Sequence, residues 1–219
     1  MLKKGFTLTE VLITLGVIGI LAAITIPRLF NNTQNAHLGA QYANAISALE
    51  TGAGMYLYDK GVKNTDYILN ASNKAWMKPS DMLAALANGY VKMTSANKPG
   101  GTLKSGDGTV SITTCYSMPD KSLVCTTGTA TDKILTKNSD DAAGKWKPAE
   151  SEIVFISSKS IKQKNLVEGY DFFRLSMSAE GLLFIPGLDY DTSAKCDLDK
   201  GGKGCAGKVA QNGWKVKYD

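Results

Sequence analysis

Histidine is almost missing: the 219-residue chain has one, His37. That excludes any centre built on two imidazoles, such as an HExxH zinc site or a His-rich iron site. A Ser-His-Asp or Cys-His catalytic pair would have to be built on His37 itself. The sequence also lacks a CxxC, a P-loop, a GxSxG elbow and any internal repeat. Charged residues make up 21% and hydrophobic ones 43%, which fits neither a disordered chain nor a polytopic membrane protein. The length predicts one folded head with an appendage. The net charge is +5, and Lys3 and Lys4 alone supply two of those charges. The remainder of about +3 is too mild for a nucleic-acid footprint.

The four cysteines, Cys115, Cys125, Cys196 and Cys205, fall into two close pairs. Without a CxxC or a Cys/His zinc spacing, two local disulfides are the simplest account, although spacing does not fix their connectivity. Four reduced buried thiols are the alternative. Disulfides point outside the cytoplasm.

The N-terminus reads MLKKGFTLTEVLITLGVIGILAAITIPRLFNN, and Val11 to Ile26 is free of charge. Phe6 to Ile26 gives about 21 residues, or ~31 Å as a helix, matching a hydrocarbon core of ~30 Å. Lys3 and Lys4 place the N-terminus on the cytoplasmic side and everything after Pro27 outside. A secretory signal peptide shares the basic start and the apolar run. Its small-residue cleavage site is poor here, since Leu21 falls where a small residue is needed before Ala23. A plain anchor and a signal peptide both fail to account for Glu10, because an ionised carboxylate at the head of an apolar run costs several kcal/mol.

Glu10 makes sense if the chain is cut between Gly5 and Phe6. The cut removes both lysines and creates a cationic amine on Phe6, one helical turn from Glu10. An almost wholly apolar helix then carries one positive and one negative group. In a bundle of identical helices, Glu10 of one subunit pairs with the Phe6 amine of its neighbour only at the correct axial stagger, so the pair specifies register.

Lys3-Lys4-Gly5-Phe6-Thr7-Leu8-Thr9-Glu10, the run Val11 to Ile26, and Pro27 together resemble the class III signal of the type IV pilin and type II secretion pseudopilin superfamily. The resemblance covers about the first 30 residues. It implies cleavage after Gly5 by a membrane-embedded prepilin peptidase, N-methylation of Phe6, and assembly roles for Phe6, Glu10 and the helix-kinking Pro27. It further implies an inner-membrane assembly platform with an ATPase, and polymerisation with identical or related subunits. The subunit resides in membrane lipid before assembly and in a periplasmic or surface filament afterwards. No cofactor is required, no specific nucleic acid is expected, and the chain is not expected to be an enzyme. The ending Gln211-Asn212-Gly213-Trp214-Lys215-Val216 is similar to C-terminal endings in pseudopilin-like proteins.

Beyond Pro27, Leu38, Tyr42, Ala45, Ile46, Leu49 and Ala53 recur every three or four residues. Asn35, Gln41, Asn44, Ser47 and Glu50 fall on other faces, predicting an amphipathic helix that packs on a sheet. Gly52 and Gly54 weaken it, and it ends near Tyr58. Two helices broken at Pro27 are the alternative to one continuous helix. Pro79-Ser80-Asp81 opens a short helix with Ser80 as N-cap and Gly89 closing it. Short β-rich runs follow at 109–116, 123–127, 152–157, 172–177, 182–185 and 215–218. Segments 95–108 and 137–149 read as exposed loops. The cysteine pair at 115 and 125 would staple a hairpin, and Ala179-Glu180-Gly181 is a tight connection.

The predicted fold class is α+β, one long helix packed on a small antiparallel sheet. Its parts are a leader (1–5), a transmembrane and polymerisation helix (6–27), the amphipathic half of that helix (28–58) and an external head (59–219). Asp189, Asp191, Asp197 and Asp199 bracket Cys196 in a glycine-rich loop. They could give an oxygen site for Ca²⁺ or simply an acidic solvated loop. The loop is not an EF-hand. His37 reads as a surface or packing residue. Lys159, Lys162 and Lys164 read as a solvated strand connection rather than an acidic-partner or DNA surface, since they lack flanking aromatics. A secretion pseudopilin, a pilin of an adhesion, motility or DNA-uptake fibre, and a membrane-tethered enzyme or binding module are the functions weighed.

Overall fold

The computed structural model describes residues 7–60, 79–106, 108–127, 136–137, 146–147, 152–177, 183–185, 188, 196, 202 and 204–214, apart from the side chains at 27–35, 79, 136–137, 146–147, 152, 177 and 184. One helix dominates it. Helix α1 (Leu8–Asp59) has 52 residues, ~78 Å at 1.5 Å per residue. It passes through Pro27 as one element, although proline removes one backbone donor there. Its end at Asp59 is within a residue of where the sequence pattern stops.

Helix α2 (Pro79–Ala87) follows. Because the helix begins at Pro79, Ser80 lies inside its first turn and is not the N-cap; proline is suited to that first position because its missing donor has no helical partner there. Gly89 closes the turn at φ 121°, a conformation that excludes most side chains.

The main sheet has six strands in the order β1 (Thr94–Ala96), β4 (Ile112–Ser117), β5 (Leu123–Thr127), β8 (Glu152–Ile156), β10 (Phe172–Met177) and β11 (Leu183–Phe184), every pairing antiparallel. Period-two alternation sends successive side chains to opposite faces. Val124, Ile153, Phe155, Phe173 and Leu175 pack with the α1 stripe Leu38, Tyr42, Ala45, Ile46, Leu49 and Ala53. Leu123, Cys125, Val154, Ile156 and Phe172 form a second core on the other face with Leu103 and Leu166. A small sheet supplies that cover: β3 (Gly108–Val110), β2 (Thr102–Ser105) and β9 (Asn165–Val167). The head is therefore three layers, helix on sheet on sheet, where two were expected from the sequence.

Several elements depart from the expectations. The 95–108 segment holds part of β1 and all of β2 rather than an exposed loop, because Leu103 is buried and pairs with Leu166. β2 and β9 run parallel, unlike the other named strand pairs among the described residues. The expected strand at 109–116 is divided into β3 and β4, on different sheets. At 137–149 the described residues form the ends of a small ladder, β6 (Thr136–Lys137) with β7 (Trp146–Lys147). Helix α3 (Gly204–Gln211) begins where the glycine-rich loop was expected to end, is not anticipated by any sequence pattern, and buries Cys205, Ala206, Gly207 and Val209. The expected strand at 215–218 and the connection Ala179-Glu180-Gly181 lie outside the described residues.

Gln41 is also misassigned by the helical wheel. Far from a polar outer face, it is 5% exposed at the sheet side of α1. Its Nε2 donates to Ser158 Oγ at 2.9 Å and to the Asp120 carbonyl at 3.4 Å, while its Oε1 accepts from Ser157 Oγ at 3.3 Å. A buried amide is tolerated where its donor and acceptor are both met, and this one fixes the rotation of α1 on the end of the sheet.

Candidate assembly helix and its seat in the head

The N-terminal turn of α1 is closed by its own side chains. Thr7 is the N-cap, and its Oγ1 accepts from the Glu10 backbone N–H at 3.3 Å. Glu10 Oε2 in return accepts from the Thr7 backbone N–H and from Thr7 Oγ1, both at 2.8 Å. This capping box satisfies helix-end donors that have no intrahelical partner. The sequence signal for it, Thr7-x-x-Glu10, was legible and was missed because Glu10 was read only as a charge.

Leu8–Ile26 follows as 19 residues with none of its apolar window buried. Leu12 is 62% exposed and Ile20 66%. Two hydroxyls in this span are turned inward on the helix: Thr14 Oγ1 donates to the Val11 carbonyl and Thr25 Oγ1 to the Leu21 carbonyl, each at 2.9 Å. Such back-bonding is what an apolar environment requires, since unsatisfied polar groups are costly there. The span is long and apolar enough to cross a bilayer.

The other half of α1 is seated through Tyr42. Its ring stacks on Phe173 at 4.5 Å and 22°, meets Phe155 at 5.4 Å, and takes Trp214 edge-on at 5.5 Å. Strands β8 and β10 and the turn after α3 therefore converge on one helical residue. Aromatic pairs of this geometry add about 0.5–1.5 kcal/mol each beyond area burial. Nearer the end of the helix, Gly52 permits the chain after α2 to come close: a Cβ there would stand 2.2 Å from Val91 Cγ2. The two halves of α1 thus have opposite fates, one gripped by the head and one bare.

Two disulfides brace the head. Cys115 and Cys125 sit directly opposite on β4 and β5 and are bonded, stapling that hairpin as expected. Cys196 is bonded to Cys205 in the first turn of α3. An ion pair missed by sequence reading ties β10 to the loop after β9. Arg174 donates from Nε to Glu168 Oε1 at 2.8 Å and from a terminal nitrogen to Oε2 at 2.7 Å, with Arg174 5% and Glu168 0% exposed. Ser105 Oγ of β2 bonds both partners, so the fork links the two sheets. No sequence pattern marks it, because its partners come from three strands or their edges.

Gly5 and Phe6 lie outside the described residues, as do Asp189, Asp191, Asp197 and Asp199; Pro27 lies within α1, its side chain undescribed. Among the described residues no group of three His, Cys, Asp or Glu is placed to hold a metal ion. His37 is exposed on α1. Lys159, Lys162 and Lys164 are exposed on the turn joining β8 to β9, where Ser160 Oγ donates to Asp171 Oδ1 at 2.7 Å to shape the connection.

No curated protein and no solved structure gives a significant match to the chain. Its fold, an N-terminal apolar helix continued into an α+β head with an antiparallel sheet, fits the pilin-like arrangement. The family model that matches is the prokaryotic N-terminal methylation motif, over residues 1–26, so the chain carries a type IV pilin-like prepilin signal.

Proposed function

We propose that the protein is a structural filament subunit of the type II secretion pseudopilus kind, cut after Gly5, methylated on Phe6 and polymerised through Leu8–Ile26. The observation that carries this reading is a bare apolar helix half continuous with a half seated in a folded head, under a matching methylation motif. A helix with no buried residue in such a span is stable only in lipid or against other helices. Moving from one to the other is nearly neutral in hydrophobic terms, so packing and polar pairing must select the filament. Gly16 and Gly19, over which a Cβ meets nothing within 4 Å, permit close helix approach.

In this reading Glu10 has two successive partners. Before assembly the Thr7 N–H and hydroxyl hold its carboxylate within its own chain, which lowers the cost of placing it at the head of an apolar run. In the filament, the Phe6 amine of a neighbouring subunit gives it a counter-charge, and the pair fixes axial register. The prepilin peptidase and an inner-membrane platform with its ATPase are the partners this mechanism needs.

The resemblance of the Gln211 to Val216 ending to pseudopilin endings supports the secretion machine. The bond between Cys196 and Cys205 favours a second reading, a pilin of a surface fibre, since closing the C-terminal loop covalently suits an exposed filament. Deleting the gene and assaying secreted proteins alongside adhesion, twitching and DNA uptake separates the two. Loss of secretion alone supports the pseudopilin, and loss of a surface phenotype with secretion intact supports the fibre.

A further inference from the structure

The turns at one end of the main sheet sit where α1 enters the head. Among the described residues, Leu38 is the first of α1 to be buried, and one turn later Gln41 reaches Ser158 Oγ and the Asp120 carbonyl. The turn joining β4 to β5 and the connection from β8 to β9 are thereby fixed at the edge of the head nearest the apolar span. The turn before β10 joins them, since the Ser157 N–H donates to the Asp171 carbonyl at 3.0 Å.

That edge is cationic. Lys121 is exposed on the first turn, and Lys159, Lys162 and Lys164 on the β8–β9 connection. The carboxylates beside them, Asp120 and Asp171, are committed within the fold. Asp120 Oδ1 accepts from the Ser122 N–H at 3.0 Å and hydroxyl at 2.6 Å. Asp171 accepts from Ser160 Oγ at 2.7 Å and from the Val167 N–H at 2.9 Å. Glu168 is paired with Arg174. Along α1 no Asp or Glu occurs between Glu10 and Glu50, while Arg28 follows shortly after the span. The lysines lack an aromatic flank in sequence, but the fold supplies one: Tyr170, 39% exposed, lies on the turn before β10. Cations for phosphate beside an amphipathic ring are what an anionic headgroup layer selects.

Distance sets the condition for contact. Ile26 to Gln41 spans ~22 Å of helix, of which the headgroup layer takes up about 5–8 Å. An upright rod therefore holds the edge ~15 Å above the headgroups, beyond a screening length of ~8 Å. Membrane helices tilt by about 20° on average and up to about 40°. With the outer sheet two layer spacings, ~20 Å, from the helix axis, such a lean lowers the β8–β9 connection by about 7–13 Å, into screening range. A soluble polyanion would need an edge turned away from the bilayer, so this placement favours lipid.

We infer that this edge is a docking surface for anionic phospholipid: before assembly the head leans on the bilayer through Lys121, Lys159, Lys162, Lys164 and Tyr170. Drawing the span out of the bilayer breaks the contact. The inference rests on the reading of Leu8–Ile26 as a membrane span.

The test uses the full chain in vesicles of phosphatidylcholine alone or mixed with phosphatidylglycerol. A photo-crosslinking residue replaces exposed Gln163 or, as a control after α2, exposed Asn88. Lipid adducts at Gln163 are expected to be at least about fivefold higher with phosphatidylglycerol, and to fall to the phosphatidylcholine level at about 1 M salt, where the screening length is ~3 Å. Asn88 should stay at background. Lys121→Gln, Lys159→Gln, Lys162→Gln and Lys164→Gln together should abolish the excess, with intact disulfides and unchanged near-ultraviolet circular dichroism showing a folded head. Equal adducts in the two lipids, wild-type adducts indifferent to salt, or adducts at Asn88 matching those at Gln163 overturn the docking and leave the span in place. Capture of a DNA fragment without lipid adducts overturns it in favour of a soluble polyanion. A chain stripped from the vesicles by alkaline carbonate overturns the membrane reading itself.

Discussion

Glu10 and Thr7 close on each other at the head of α1, the carboxylate accepting the backbone N–H and the hydroxyl of Thr7 at 2.8 Å each. The relationship makes two roles of Glu10 separable by mutation. Glu10→Gln keeps an acceptor for the Thr7 N–H and removes the charge, whereas Glu10→Ala removes both. If the charge sets register, both variants are processed normally and both lose filament yield by about tenfold or more, in keeping with the several kcal/mol of leaving a buried amine unpaired. Wild-type filament yield from Glu10→Gln would reduce Glu10 to a helix cap worth about 1 kcal/mol.

Gly52 and Gly54 should respond oppositely to alanine. Gly52→Ala drives a methyl into Val91 and should cost about 1–3 kcal/mol of head stability, as overpacking does. Adding Val91→Ala should recover part of that loss. Gly54→Ala meets open space and should raise helix stability by about 1 kcal/mol. Urea midpoints of the detergent-solubilised chain read both effects, and equal destabilisation at the two sites would contradict the assigned close approach.

The fork between Arg174 and Glu168 should be costly to break singly. Glu168→Gln or Arg174→Met leaves a buried partner uncompensated and should cost about 3–5 kcal/mol. Replacing both with apolar residues of similar volume should cost much less, because no charge is stranded. A double variant as unstable as the sum of the singles would mean that Arg174 and Glu168 are not energetically coupled, and would contradict the assigned fork.

Two phenols report on the turn after α2. Burial raises Tyr56 above its ordinary value of 10.0. Tyr90 is raised by burial first, then by its hydrogen bond to Asp59, the charge of that carboxylate and the neighbouring Tyr56 phenol. A raised value means the neutral phenol favours the folded state. Its contribution is therefore present in full below the unfolded value of about 10 and is lost as pH rises through the folded one. In an ultraviolet tyrosinate titration, Asp59→Asn should bring the Tyr90 transition down. A Tyr90 transition unmoved by Asp59→Asn would refute the pairing.

The parts of this structure that were legible in the sequence are those where burial imposes a strong period. The stripe from Leu38 to Ala53 predicted the seated half of α1, and the runs around Phe155 and Phe173 predicted β8 and β10, because each carries several apolar residues in register. What escaped notice has little local signal. β2 and β9 are three or four residues long with one buried leucine each, Leu103 and Leu166, so only their pairing across the chain makes them strands. Helix α3 starts at Gly204 and contains Gly207, poor helix formers, and the burial of Cys205, Ala206 and Val209 together with the Cys196–Cys205 bond outweighs propensity. Gln41 looked like a surface residue because a helical wheel cannot see Ser157 and Ser158 waiting at the sheet end. At the assembly helix, the charge pattern around Gly5, Phe6 and Glu10 was visible at once, while the cap formed with Thr7 was overlooked.

Cleavage can be tested by one substitution. Gly5→Leu fills the position at which the peptidase must cut and should leave the chain unprocessed and in the membrane, with filaments lost. A Gly5→Leu chain that still matures would show that the enzyme reads another site.

The most direct measurement is the mass of the N-terminal peptide from the native membrane fraction, with the intact mass alongside. The filament-subunit account predicts a chain that begins at N-methylated Phe6. A chain that still begins at Met1 in cells with an active prepilin peptidase, or one cut after Ala23, would contradict it.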